Sequence, residues 1–169
     1  MAIKKISQVG EAVIRAKAKP INLKDRVGIK KLIKDLHDSM LATSLVGIAA
    51  PQIGVGLQIF VSEVRKTKTR KPKDLDGFRV FINPKIIKKS VKHSILEEGC
   101  GSVSHATLFG PVKRPAEVEV KALDENLQPF TLKAKGLLAK IIQHEYDHLQ
   151  GVVILDKFTD TRKCWVREK

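Results

Sequence analysis

Aromatic side chains make up only 5 % of this 169-residue chain, with a single tryptophan and a single tyrosine. That scarcity argues against the stacking platforms on which single-stranded nucleic acid is read. Cysteine is scarcer still: Cys100 and Cys164 are the whole supply, too few for a disulfide framework, and they read as two free thiols. No uninterrupted apolar run approaches the roughly 20 residues of a membrane helix. The opening MAIKKISQVG has no apolar core of signal-peptide length. A cytoplasmic protein is expected, with neither membrane nor DNA as partner.

Acidic residues are also in short supply, 18 Asp and Glu against 32 Lys and Arg, for a net charge of +14. Such a surface attracts polyanions, RNA among them. No recognition-helix motif and no basic–aromatic platform accompanies the charge, so specific base readout is not expected. The stretch RKTKTRKPKD (65–74) mixes charge with Pro72 and has no apolar period, which marks an exposed loop. With 43 % hydrophobic and 30 % charged residues, the chain reads as one soluble domain spanning residues 1–169, long enough for its own core.

DRVGIKKLIKDLHDSMLAT sets Ile29, Leu32, Ile33, Leu36 and Met40 at helical intervals between lysines, an amphipathic helix. His37 adjoins that stripe with no local partner and is assigned a structural or surface role. Glycines and a proline interrupt regular structure in GIAAPQIG. LQIFVSEV (57–64), FRVFINP (78–84) and EVEVKAL (117–123) read as strands, and ALDENLQPFTL as a hairpin turning near Asp124–Asn126. A second helix is expected from about Ala134 to Gln150, ended by Gly151 in the left-handed conformation. The fold class that follows is α+β: mostly antiparallel strands packed around a central helix.

That helix contains KIIQHEYDHLQG. At about 100° per residue, Leu137, Ile141, Leu138, Leu149 and Ile142 share one face with His144. His148 and Glu145 fall inside the same arc, while Gln143, Tyr146 and Gln150 fall outside it. Three polar groups thus point into the core, each costing on the order of a few kcal/mol unless partnered. Two histidines at i and i+4 with an acid between them solve this by holding a divalent metal ion. Glu145 lies too far round the helix to be an easy third ligand, yet it can exchange protons with a metal-activated water. The third ligand stays open on this argument among a distant carboxylate, another histidine and a thiolate. Cys100, set between two glycines in LEEGCGSV, is the thiolate candidate.

HEYDH (144–148), EGCGS (98–102) and VGIAAPQ (46–52) resemble, in order and spacing, the three signature motifs of the peptide deformylases. QVGEAVIRAKAKPI and INPKI are similar to that family too, so the resemblance covers nearly the whole chain. It implies a metal held by Cys100, His144 and His148: Fe2+ in most relatives, with Zn2+ or Ni2+ as substitutes. It implies metal-bound water as nucleophile, Glu145 as general acid and base, and removal of the formyl group from the N-formylmethionine of a nascent polypeptide. Gln52 through its side-chain amide and Gly101 through its backbone N–H are the implied oxyanion donors. The backbone of Val46 and Gly47 is implied to pair with the peptide, and Leu137, Ile141 and His144 to line the methionine pocket. Arg114 and Asp147 are implied to form a supporting ion pair.

Three departures stand out. Leu45 occupies a position that is commonly glycine, Gly101 one that is commonly leucine, and Lys140 borders the methionine pocket where an apolar residue is usual. The first is expected to reshape the cleft rim and the second to loosen the donor loop. Basicity adds a ribosome contact to the reading, with KFTDTRKCWVREK as the segment singled out for it. A zinc protease using the same histidine pair would leave the cysteine and glutamine motifs without function. A non-catalytic binding protein finds its only support in Leu45 and Gly101.

Overall fold

The computed structural model describes residues 3–67, 71–104 and 107–167, so part of the 65–74 stretch lies outside the described residues. A short helix α1 (Ala12–Arg15) and the long α2 (Arg26–Ala42) precede β1 (Gly47–Ala49), β2 (Ile59–Val64) and β3 (Asp76–Lys89). Then follow β4 (His93–Gly99), β5 (Leu108–Pro115), β6 (Glu117–Leu123), β7 (Pro129–Lys135), α3 (Gly136–Leu149) and β8 (Trp165–Val166). A five-stranded sheet has the order β1-β2-β3-β6-β7 and a three-stranded one the order β4-β5-β8, and every pairing that has a defined register is antiparallel. The α+β expectation holds. Among the described residues no helix is long and apolar enough to cross a membrane.

At β2 the larger sheet is covered on both faces, which explains why that strand reads as an almost continuous apolar run. Ile59 and Val61 point toward α2, joining Ile29, Leu36 and Met40. Phe60 points the other way, stacks on Phe81 at 4.4 Å and meets Ala139, Ile142 and Leu149 of α3. Each large side chain buried in this way contributes on the order of 1.5–3 kcal/mol. Asp25 caps α2 by accepting the Gly28 N–H at 2.9 Å. His37 rests against Phe78, ring centroids 4.2 Å apart, which is the structural role expected of it.

The second helix begins two residues later than the periodicity suggests. Ala134 belongs to β7, and Gly136, at φ 59°, makes the corner. Its far end is as expected: Gly151 adopts φ 73°, and an added Cβ would lie 2.4 Å from the Arg15 carbonyl oxygen. The hairpin turn also holds, with Asp124 accepting the N–H groups of Asn126 and Gln128 at 2.9 and 2.8 Å. Gln143 is a correction. Its place outside the apolar arc predicts a solvent-facing side chain, but α3 lies between the two sheets, and Gln143 is buried, donating to the carbonyls of Pro115 and Ala139 at 3.0 and 2.9 Å. The Cys164 thiol is half-buried, and a Cβ on Gly110 would lie 2.6 Å from its sulfur. Both cysteines are free thiols.

Candidate metal centre

Three segments converge beside α3. The helix presents His144 and His148 one turn apart, ring centroids 5.1 Å from each other. The turn leaving β4 brings Cys100, whose Sγ lies 3.2 Å from His148 Nε2. The three-residue donor set of Cys100, His144 and His148 has its ligand atoms within 4.8 Å of one another, a group that can hold a metal ion. Cys100 and His148 are 2 % and 1 % exposed.

Electrostatics prepares these groups for a cation. Burial pushes the Cys100 thiol up, but the charge of His148 and a hydrogen bond with His144 outweigh it and hold the thiol well below its ordinary value. Burial likewise pushes His144 down, and hydrogen bonds with Cys100 and Glu98 carry it well above the usual imidazole range. The His144 Nδ1–H donates to Glu98 Oε2 at 3.0 Å, which turns Nε2 toward the thiolate. Thiolate plus two imidazoles is a donor set that suits Fe2+, Zn2+ or Ni2+, so the residues fit the metal that the resemblance implies.

Glu98 was present in the quoted motif but carried no signal of its role, because nothing in LEEGCG tells which of two adjacent glutamates turns inward. In the structure it is 4 % exposed and takes a two-pronged ion pair from Arg114, at 2.8 and 3.1 Å. Burial pushes its carboxyl up, but the hydrogen bonds from His144 and Arg114 prevail and hold it at about 2. Arg114 also reaches Asp147 at 2.7 Å, the pair expected from the sequence. One guanidinium therefore ties β4, β5 and α3 together behind the histidines.

Glu145 lies beside the donors. Desolvation raises its carboxyl to about 7, against the pull of His144 and His148. Its Oε2 is buried without a hydrogen-bond partner among the described residues. Gly47 packs onto it so closely that an added Cβ would lie 2.6 Å from Glu145 Oε1 and 2.7 Å from Ile141 Cγ2. Gln52 is oriented by the Ala49 N–H, which donates to its Oε1 at 2.8 Å; its Nε2 then faces Ser102 Oγ at 3.4 Å and Cys100 Sγ at 3.7 Å.

A cavity of about 390 Å³ opens over this arrangement. Val46 and Gly47 line one side, at an edge strand whose other neighbour is missing from the sheet; Leu137 and Ile141 line the helix side, and Gly101 lies near the thiolate. Lys140 is also at the rim, where it donates to the Glu97 carbonyl at 2.6 Å. Two of the three sequence departures prove to be neighbours: a Cβ on Gly101 would lie 3.1 Å from Leu45 Cδ1. Leu45 fills the space over Gly101, and Gln8 Nε2 donates to the Gly101 carbonyl at 2.9 Å, so the loop is held from two sides rather than loosened. Phe109, Trp165 and Arg167 line the cavity as well; sequence reasoning missed them because the pairing of β5 with β8 is what brings them there.

The polypeptide deformylase family model matches residues 3–164. A peptide deformylase of Pseudothermotoga lettingae is 42 % identical over 167 residues, covering 99 % of this chain and 90 % of that one. Among solved structures, the Met-Ala-Ser-bound class I type b peptide deformylase of Acinetobacter baumannii superposes with a TM-score of 0.87 at 28 % identity, over 93 % of this chain and 100 % of that one. The actinonin complex of the Synechococcus elongatus peptide deformylase gives 0.83 at 32 % identity, over 96 % and 82 %. The chain belongs to the peptide deformylase family, enzymes that remove the formyl group from N-formylmethionine.

Proposed function

We propose that residues 1–169 act as one catalytic domain in which Cys100, His144 and His148 hold a single divalent ion, Fe2+ in the cell with Zn2+ or Ni2+ able to replace it. The ion, when bound, supplies Lewis acidity that lowers the pKa of water and polarises a carbonyl oxygen. Glu145, with a carboxyl at about 7, takes the proton from the attacking water as the oxygen adds to the formyl carbon. The oxygen that gains negative charge is stabilised by Gln52 Nε2 and by the Gly101 backbone N–H. Glu145 then gives its proton to the nitrogen, the C–N bond breaks, and formate and a free amine leave. An extended peptide adds to the open edge at Val46 and Gly47, with its methionine side chain against Leu137 and Ile141.

The observation that carries this reading is a buried, unpartnered carboxylate oxygen of Glu145 beside a convergent thiolate and two imidazoles. The substrate is the formylated nascent polypeptide, the compartment the cytoplasm, and the basic surface brings the enzyme to the ribosome. The experiment is metal analysis of protein purified without oxygen, together with formate release from formyl-Met-Ala-Ser. Wild type binds about one equivalent of metal and releases formate. Glu145→Gln keeps the metal and loses about 10²–10⁴ in rate, and Cys100→Ser loses both. Metal-loaded wild type that releases no more formate than Glu145→Gln would overturn the reading, as would cleavage within an unformylated peptide.

A further inference from the structure

The outward face of the small sheet holds a group of side chains that the chemistry above leaves unused. Gly99, Phe109 and Trp165 form one row across β4, β5 and β8, and Glu97 and Arg167, two residues along their chains, point to the same side. Phe109 lies on Gly99, where an added Cβ would come within 2.5 Å of its ring. Trp165 stacks on Phe109 at 4.8 Å with an interplanar angle of 15°, and the Arg167 guanidinium lies 4.3 Å over the Phe109 ring. Glu97 Oε2 accepts the indole N–H at 3.0 Å and so fixes the tryptophan, which remains 43 % exposed. The basic–aromatic platform that the linear sequence lacks is thus assembled in three dimensions. It lines the same cavity as the metal ligands.

We propose that Phe109, Trp165 and Arg167 form an outer peptide subsite that takes an acidic side chain at the third residue of the substrate. The proposal rests on the deformylase reading. A strand added at Val46 and Gly47 runs through the cavity, and in an extended chain the first and third side chains point the same way, about 7 Å apart. With the first lodged against Leu137 and Ile141, the third emerges along the wall that carries the platform. The aromatic rings support its aliphatic stem. Glu97 is engaged by Trp165, whereas among the described residues Arg167 forms no ion pair. Its ring-stacked guanidinium keeps in-plane N–H donors that match a carboxylate.

Trp165 is the only tryptophan of the chain, so its fluorescence reports on this subsite whether or not catalysis occurs. The probes are Met-Ala-Glu, Met-Ala-Gln and Met-Ala-Lys, all amidated at the C-terminus so that the side chain supplies the only carboxylate. The metal-loaded protein should bind the Glu peptide about 3- to 5-fold more tightly than the Lys peptide, with the Gln peptide between them. Raising the salt should shrink the difference. Arg167→Ala should abolish it and Arg167→Lys should retain part, and the formylated peptides should show the same order in kcat/KM. Equal affinities in wild type, or an unchanged preference in Arg167→Ala, overturn the subsite. A short RNA that perturbs Trp165 and displaces the Glu peptide would overturn it too, as a sign that the face serves nucleic acid. Selective binding without formate release would instead overturn the deformylase reading and leave the subsite supported.

Discussion

Leu45 and Gly101 are each unremarkable in sequence, yet the 3.1 Å approach of a Cβ at 101 to Leu45 Cδ1 makes them one packing unit. Gly101→Leu alone must displace Leu45 and should cost about 1–3 kcal/mol from overpacking. Leu45→Gly alone removes the side chain that covers the donor loop. The double substitution exchanges the two and should lie closer to wild type, with a coupling of at least about 0.5 kcal/mol in urea unfolding of the metal-loaded protein. Strict additivity would show that the two residues do not share space. Gly47→Ala tests a tighter contact, since its Cβ would lie 2.6 Å from Glu145 Oε1. If Glu145 carries the proton as proposed, the fold should survive while kcat/KM falls about 10²-fold, the cost of moving such a group by a fraction of an ångström to an ångström. At this scale the sequence is legible where periodicity speaks: His144, His148 and Glu145 follow from one helix face. It is mute for Glu98 and for the Leu45–Gly101 contact, which depend on how distant segments cross.

Between elements, the junction of β4, β5 and α3 depends on Arg114. It is 6 % exposed, grips Glu98 with two hydrogen bonds and reaches Asp147 across to the helix. Arg114→Ala leaves the buried Glu98 carboxylate without its two-pronged guanidinium partner, so destabilisation of about 3–5 kcal/mol is expected in chemical denaturation. Arg114→Lys keeps the charge without the two-pronged geometry and should recover only part. His144 loses its orientation with Glu98, so metal retention against a chelator should fall in the same order. A loss of stability with metal affinity unchanged would separate the network from the ligands. α2, β6 and the Asp124 turn could be read from the chain because spacing and capping are local. The β4–β5 hairpin could not: LFGPVKRP carries a glycine and two prolines, ordinarily marks against a strand. Gly110 is there because Cys164 and Phe158 pack onto it; a Cβ would fall 2.6 and 2.8 Å from their atoms. Helix α3 was readable in its ligand face but not in its opposite one, since a helix between two sheets has no solvent side for Gln143 to occupy.

For the whole molecule the surplus of cations is not spread evenly over the large sheet. On its outer face Lys88 and Lys133 both pair in register with Glu119, and Lys135 with Glu117. Lys85 instead lies opposite Lys121, whose other neighbour is Thr131, so this row has two exposed cations and no acid. Like charges directly opposite cost stability, a cost that a bound polyanion would remove. If the basic surface meets ribosomal RNA, this row is a better place to test it than the tail from 157 to 169, whose removal would also take away Phe158, Trp165 and Arg167. Lys85→Glu creates a cross-strand ion pair, so it should raise stability by about 0.2–1 kcal/mol while weakening cosedimentation with ribosomes at low salt. Lys85→Gln should have a smaller effect of the same sign on both. Because most perturbations that weaken binding by damaging the fold also lower stability, a gain in one with a loss in the other isolates the electrostatic contribution. Tighter folding with unchanged cosedimentation would remove this row from the ribosome contact.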